Sequence, residues 1–179
     1  MVAQRAGESP LGVDGFPILY ALNRPGRRDE MSSFLGMNYF RARGKGQVYG
    51  ISSRAVAIDT GENLTEEFPA FREFWLCRPA GGAHEMKFFA LLDGSSVAGA
   101  YRFVITTGAD TQVEVEAHLF FRKPVQALGL GPLTSMFWRG EKDPVPPNDR
   151  RPEVHDSDGL LIGTDDWRPL AAVSKVTTQ

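Results

Sequence analysis

Between Arg151 and Leu160 the chain runs Arg-Pro-Glu-Val-His-Asp-Ser-Asp-Gly-Leu, which puts Glu153, His155, Asp156 and Asp158 within six residues of one another, ending at Gly159. If Val154 to Asp158 is extended, side chains two apart share a face. His155 and Ser157 then point one way and Val154, Asp156 and Asp158 the other, with Glu153 directly beside neither His155 nor Ser157. Two neighbouring carboxylates raise the proton affinity of one of them, because a second negative charge nearby is unfavourable. One neutral acid beside one ionised carboxylate is the pairing that acid/base chemistry on an acetal requires. The same residues also spell a solvated Asp-Ser-Asp-Gly turn, in which Asp side chains bond the backbone two residues on and Gly159 supplies a positive φ. Local sequence leaves both readings open.

Hydrolysis of an acetal needs a second group to activate water, standing about 6.5–9.5 Å from the acid in an inverting enzyme or acting through a relay. Asp59, Glu66, Glu67 and Asp158 are the candidates, with Asp59 and Glu67 carried forward and the base left unassigned. Sugars present flat C–H faces that stack on aromatic rings, and Tyr39, Trp75, Tyr101, Trp138 and Trp167 could supply them. Trp75, among Phe71, Phe74 and Leu76, reads as core; Trp138, followed by Arg139 and Gly140 beside a proline-rich loop, is the better platform. Arg41 and Arg102 have aromatic neighbours on predicted strands and suit either sugar hydroxyls or a carboxylate. His84, His118 and His155 have no metal-ligand spacing, and no residue cluster implies a cofactor. The glycines of Gly44 to Gly50 superficially resemble a dinucleotide fingerprint, but the last falls one residue late and no helical pattern follows.

The elements that must hold these residues are strands. The chain has 179 residues, 42% of them hydrophobic, with 12 Phe, 19 Gly and 12 Pro. That is enough apolar material for one core, punctuated into short segments, and it predicts an all-β, antiparallel fold. Period-two alternation is clearest from Ala83 to Arg122. Met86, Phe88, Ala90 and Leu92 alternate with Lys87, Phe89 and Leu91 in a strand with two largely buried faces. In the next strand Tyr101, Phe103 and Ile105 share one face, with Arg102 and Thr106 on the other. After a Gly-Asp turn, Val113, Val115, Ala117 and Leu119 oppose Gln112, Glu114, Glu116 and His118, giving one wet side and completing a meander. Gln47–Ile58 and Phe71–Cys77 are further predicted strands joined by a polar loop, and Val125–Leu128 suggests a helical turn. Pro144, Pro146 and Pro147 make Glu141–Arg151 a loop leading into the acidic stretch.

A net charge of −2 offers no global field for nucleic acid or an anionic membrane. The one basic concentration, Arg24, Arg27, Arg28, Arg41, Arg43 and Lys45 with Asp29 and Glu30 among them, reads as an anion site or a solvated edge. No stretch reaches membrane-span length, and Met1–Pro10 shows no signal-peptide pattern. The single Cys77 reads as a small buried hydrophobe.

Seven segments carry a resemblance in order: Gly36–Ala42, Ala57–Glu62, Glu67–Trp75, Ala90–Asp93, Gly99–Phe103, Pro132–Phe137 and the acidic stretch. Together they resemble the periplasmic glucan biosynthesis proteins, the MdoG/OpgG and OpgD family. The resemblance implies a periplasmic role with osmoregulated glucans of β-1,2-linked glucose, and a large β-sandwich of galactose-mutarotase-like supersandwich type followed by an immunoglobulin-like domain. It also implies cleavage or transfer of β-1,2-glucan by some members, as a glycoside hydrolase or transglycosylase with an aspartate as general acid. The aspartate after the histidine in the family's motif matches Asp156, with Asp158 the second choice. Tyr39, Arg41, Arg102, Trp138 and His155 are the candidate substrate-binding residues. The resemblance spans residues 15–170, leaving 1–14 and 171–179 unmatched, and covers about a third of a typical member. The expectation is therefore a truncated sandwich that works on glucan, binds glucan without turnover, or is an inactive gene fragment whose fold a partner chain completes.

Overall fold

The computed structural model describes residues 2–5, 15–35, 37–48, 52–61, 64–134 and 137–156. The chain divides into two units, residues 1–133 and 134–179. The described residues contain strands and no helix. They are β1 (Val2–Arg5), β2 (Phe16–Tyr20), β3 (Asp29–Leu35), β4 (Tyr39–Ala42), β5 (Ser52–Arg54), β6 (Val56–Ile58) and β7 (Ala70–Leu76). The remainder are β8 (Glu85–Asp93), β9 (Val97–Thr107), β10 (Thr111–Phe121), β11 (Leu128–Leu130), β12 (Leu133–Thr134), β13 (Phe137–Arg139) and β14 (Val154–His155).

Two five-stranded sheets form the first unit's sandwich, one in the order β1-β7-β8-β9-β10 and the other β12-β5-β4-β3-β2, with β6 and β11 as a separate pair. The expected meander of β8, β9 and β10 is present and antiparallel throughout. The alternation explains the sandwich, since every second residue of each sheet points into one shared interior. Phe34 from β3, Phe88 from β8 and Phe103 from β9 are completely buried there. The Phe34 ring centroid lies 4.8 Å from Phe88 and 5.0 Å from Phe103, both edge-on, the arrangement favoured by the ring quadrupole. Each such side chain contributes about 1.5–3 kcal/mol by leaving water.

Several expectations are corrected. Gln47–Ile58 is not one strand: the backbone N–H of Gln47 donates to the Gly44 carbonyl in a turn, and β5 and β6 join different sheets across a bend at Ala55. Asn38 causes that step, because its carbonyl accepts from Ala55 N–H and its side-chain oxygen from Val56 N–H. Val125–Leu128 is not helical. Asp59 Oδ1 accepts from the backbone N–H groups of Gln126 and Ala127 at 2.7 and 2.9 Å, leading Leu128 into its pairing with Ile58. The second face of β8 is not buried, for Lys87 and Leu91 are exposed. Trp75 pairs with Phe89 across β7 and β8 and is half-buried rather than core, as is Cys77.

In the second unit β13 and β14 form an antiparallel pair, with Phe137 opposite His155 and Arg139 opposite Val154. Two residues of β13 therefore span one step of β14, and the extra residue is Trp138, at a β-bulge.

Candidate functional site

The β13–β14 pair carries most of the chemistry read from the sequence. A bulge residue leaves the regular ladder and its side chain is re-aimed; Trp138 there is 70% exposed, an open indole face. Its neighbour Arg139 is 3% exposed and turned to structural use. It donates to the Arg151 carbonyl through Nη2, and the same nitrogen lies 3.3 Å from Asp149 Oδ2. Asp149 also accepts from Arg151 Nε and Nη2 at 2.9 Å each. Hydrogen bonds from the Arg151 side chain, then from its backbone, hold the Asp149 carboxyl well below the usual carboxylate range. The loop after β13 is pinned at its near end too, where Gly140 N–H donates to Asp143 Oδ2. The proline-rich loop is thus clamped at both ends before it delivers Glu153 to β14.

His155 Nε2 donates to Glu153 Oε2 at 3.0 Å, with the His155 side chain 11% exposed. Glu153 therefore does sit beside His155, against the expectation that it would lie beside neither member of the histidine face; the two are two residues apart on extended backbone and so share a face. Asp156 follows as an exposed residue at a bend. Trp138, Glu153, His155 and Asp156 are brought onto one hairpin. Asp158 and Trp167 lie outside the described residues.

The other candidate carboxylates belong to the first unit and are engaged. Asp59, at a φ of 53°, caps the approach to β11 through the two backbone hydrogen bonds already described. Glu66 accepts from Arg54 Nη1 at 2.5 Å and Thr60 Oγ1 at 2.9 Å, and the Arg54 bond lowers its pKa. Glu67 accepts from Ser96 N–H at 3.0 Å and Ser95 Oγ at 2.7 Å, pinning the turn between β8 and β9. A Cβ at Gly94 would stand 2.6 Å from Glu67 Oε1, so only glycine admits the carboxylate so close. Partial burial pushes the Glu67 carboxyl up, but the hydrogen bonds from Ser96 and Ser95 outweigh it and hold it at about 2.

A pH dependence follows from Glu67. Its folded-state pKa lies below the ordinary glutamate value of 4.5, so the native state favours the carboxylate. That stabilisation is complete above about pH 4.5 and is lost as pH falls toward 2. Glu67→Gln is expected to cost about 1–2 kcal/mol at pH 7 and much less at pH 2. Urea midpoints measured at both values check this; an equal loss at the two would remove the charge from the explanation.

Among the candidate binding residues, Tyr39 packs against Arg54, whose guanidinium carbon lies 5.3 Å from the Tyr39 ring centroid and 5.0 Å from that of Phe68. Arg41 lies 3.7 Å from Glu30. Arg102 bridges Glu114 and Glu116 across β9 and β10 at 3.2 and 3.0 Å. Tyr101 is buried, its hydroxyl reaching the Ala55 carbonyl, and burial pushes its pKa up to about 12; it is core, not platform. The basic concentration is likewise tied down locally, with Arg27 on Asp29 and Arg43 Nε on the Glu30 carbonyl.

The residues that sequence reasoning missed are Arg139 and Asp149, which clamp the loop, and Asn38 and Arg54 in the first unit. Asn38 alone left a signal, as a residue type that tolerates positive φ between Met37 and Tyr39. The clamp left none, since no period links residues 139 and 149.

No helix among the described residues is long and apolar enough to cross a membrane. The sequence model described as "Periplasmic glucan biosynthesis protein, MdoG" matches residues 2–179. Glucans biosynthesis protein G of Ralstonia nicotianae is 56% identical over 164 residues, which are 89% of this chain and 32% of that protein. The Rhodopseudomonas palustris protein of the same name is 52% identical over 168 residues, 92% of this chain and 34% of that one; that of Serratia proteamaculans is 49% identical over 164 residues, with 89% and 31% covered. The chain thus spans about a third of the length of these relatives. With a match along nearly all its residues and half of them shared with such relatives, this chain belongs to the periplasmic glucan biosynthesis protein family, MdoG.

Proposed function

We propose that the chain takes part in periplasmic glucan biosynthesis by engaging a β-1,2-linked glucan on the β13–β14 hairpin, with Asp156 as general acid. The observation that carries the reading is the placement of an exposed indole, Trp138, on the same hairpin as the Glu153–His155 pair and the exposed Asp156. An indole face suits a glucose ring. A protonated Asp156 would give its proton to the glycosidic oxygen as the bond to the anomeric carbon breaks. Water, or the hydroxyl of a second sugar, would then attack that carbon and lose its proton to a base. Transfer to a sugar hydroxyl remodels a glucan and transfer to water shortens it. The relatives' names, glucans biosynthesis protein G, support glucan as the substrate class, and the family's description supports the periplasm as its place.

The test is incubation of the purified chain with linear β-1,2-glucan, counting new reducing ends, with Asp156→Asn alongside. The variant is expected to lose at least about a hundredfold in rate while retaining glucan binding, measured by tryptophan fluorescence. Undiminished turnover in Asp156→Asn would remove Asp156 from the role.

A second reading, glucan binding without turnover, is favoured by the engagement of Asp59, Glu66 and Glu67 in structural hydrogen bonds. Each has a carboxylate oxygen that accepts from a protein donor. That reading expects saturable binding, weakened by Trp138→Ala, and no new reducing ends from either protein.

A further inference from the structure

β14 has two residues, and its ladder with β13 consists of Phe137 opposite His155 and Arg139 opposite Val154. So short a two-stranded pair is marginal on its backbone hydrogen bonds alone. It nevertheless carries the exposed indole of Trp138 on one strand and leads directly into the exposed Asp156 from the other. How those two groups stand to each other depends on residues 140–153, the loop that joins the strands.

That loop is stiff within and tied at its far end. Two turns are closed at 3.0 Å, one by Asp143 N–H on the Gly140 carbonyl and one by Asp149 N–H on the Pro146 carbonyl. Pro144, Pro146 and Pro147 restrict the backbone between and within them. Arg139 then ties the second turn back to β13: its Nη2 donates to the Arg151 carbonyl and lies 3.3 Å from Asp149 Oδ2, the oxygen that also accepts from Arg151 Nη2 at 2.9 Å. The Arg139 side chain is 3% exposed and that of Asp149 18%, so salt screens this pair much less than a surface one. A planar guanidinium holding a carbonyl and a carboxylate together fixes direction as well as distance, which an ammonium does not.

We infer that Arg139 and Asp149 are positioning residues for the reaction proposed for Asp156. They act without touching the glucan, by holding the Trp138 indole and the Asp156 carboxyl in one fixed relation across the hairpin. The inference rests on the glucan reading of that hairpin. A sugar stacked on Trp138 presents its glycosidic oxygen to Asp156 at a set distance, and a drift of about 1 Å in such an arrangement costs on the order of a hundredfold in rate. Binding tolerates the same drift, because stacking on an indole is a broad apolar contact.

The test measures reducing-end release from linear β-1,2-glucan by the full chain, by Arg139→Lys, Asp149→Asn and Asp156→Asn, and by the double variant Arg139→Lys/Asp156→Asn. Cooperative urea unfolding checks that each variant folds, and Asp149→Asn takes the place of Arg139→Lys in the double variant if the lysine protein does not. Each clamp variant is expected to lower kcat by about 10- to 100-fold with KM changed by less than about threefold. Because the clamp works through Asp156, adding Arg139→Lys to Asp156→Asn is expected to lower the residual rate no further. Unchanged kcat in the clamp variants, a loss that falls on KM, or an additional loss in the double variant overturns the inference and leaves the glucan reading standing. A wild-type chain without turnover, or undiminished turnover in Asp156→Asn, overturns the acid reading itself and this inference with it, and shows so before any clamp variant is compared.

Discussion

Replacing Asn38 with alanine is expected to destabilise the chain by about 4 kcal/mol, the sum of two lost buried hydrogen bonds and a strained backbone. Asn38 is completely buried at a φ of 63°. Its Nδ2 donates to the Pro69 carbonyl at 2.6 Å and its Oδ1 accepts from Val56 N–H at 3.2 Å. One side chain thus ties the entry to β4 to the start of β6 and to the approach of β7. Alanine removes both bonds, strands a donor and an acceptor away from water, and carries a Cβ into the left-handed region. Glycine removes the bonds but accepts the backbone, so Asn38→Gly is expected to be less damaging by about 1 kcal/mol. Urea unfolding followed by tryptophan fluorescence measures both. Equal losses from alanine and glycine would show that the positive φ costs nothing.

The second large effect is expected at Phe34. Phe34→Ala should cost about 3–5 kcal/mol, because its ring is surrounded by others in both sheets: Phe16 at 5.6 Å, Phe40 at 5.4 Å, Phe88 at 4.8 Å and Phe103 at 5.0 Å. These rings are themselves packed against one another, so the space left by Phe34 cannot readily collapse. Phe34→Leu keeps much of the volume and is expected to cost less than half as much. A Phe34/Phe88 double-mutant cycle isolates the edge-on pair, with an expected coupling of about 0.5–1.5 kcal/mol. Additive losses would mean that the rings act only as volume.

The strands β8, β9 and β10 were legible in the sequence because each is long enough to repeat its period several times, and because short turns force neighbours to pair. The divide between β5 and β6 was not, since its cause is the Asn38 side chain on a different segment. The extended path at Gln126 and Ala127 was hidden for the same reason, Asp59 being its cap from 67 residues away. The candidate site shows the same partition. The His155-Asp156 motif is local and could be seen in the residues themselves. The clamp of Arg139 on Asp149 spans an aperiodic loop and could not. Asp59 and Glu67 stood among the candidate bases with the base left unassigned, and their structural bonds were hidden because a sequence displays a carboxylate without the backbone N–H groups that it accepts from.

The pairing of β6 with β11 also has a history in time. Ile58 and Leu128 face each other across that ladder but are seventy residues apart in the chain. At ribosomal rates of 5–20 residues per second, β6 emerges roughly 4–14 s before its partner has been made. Val56, Ala57 and Ile58, all buried in the finished sandwich, spend that interval as an apolar segment without a ladder. The nascent chain is therefore most open to wrong pairing, and most in need of a holding chaperone, before Leu130 has left the exit tunnel.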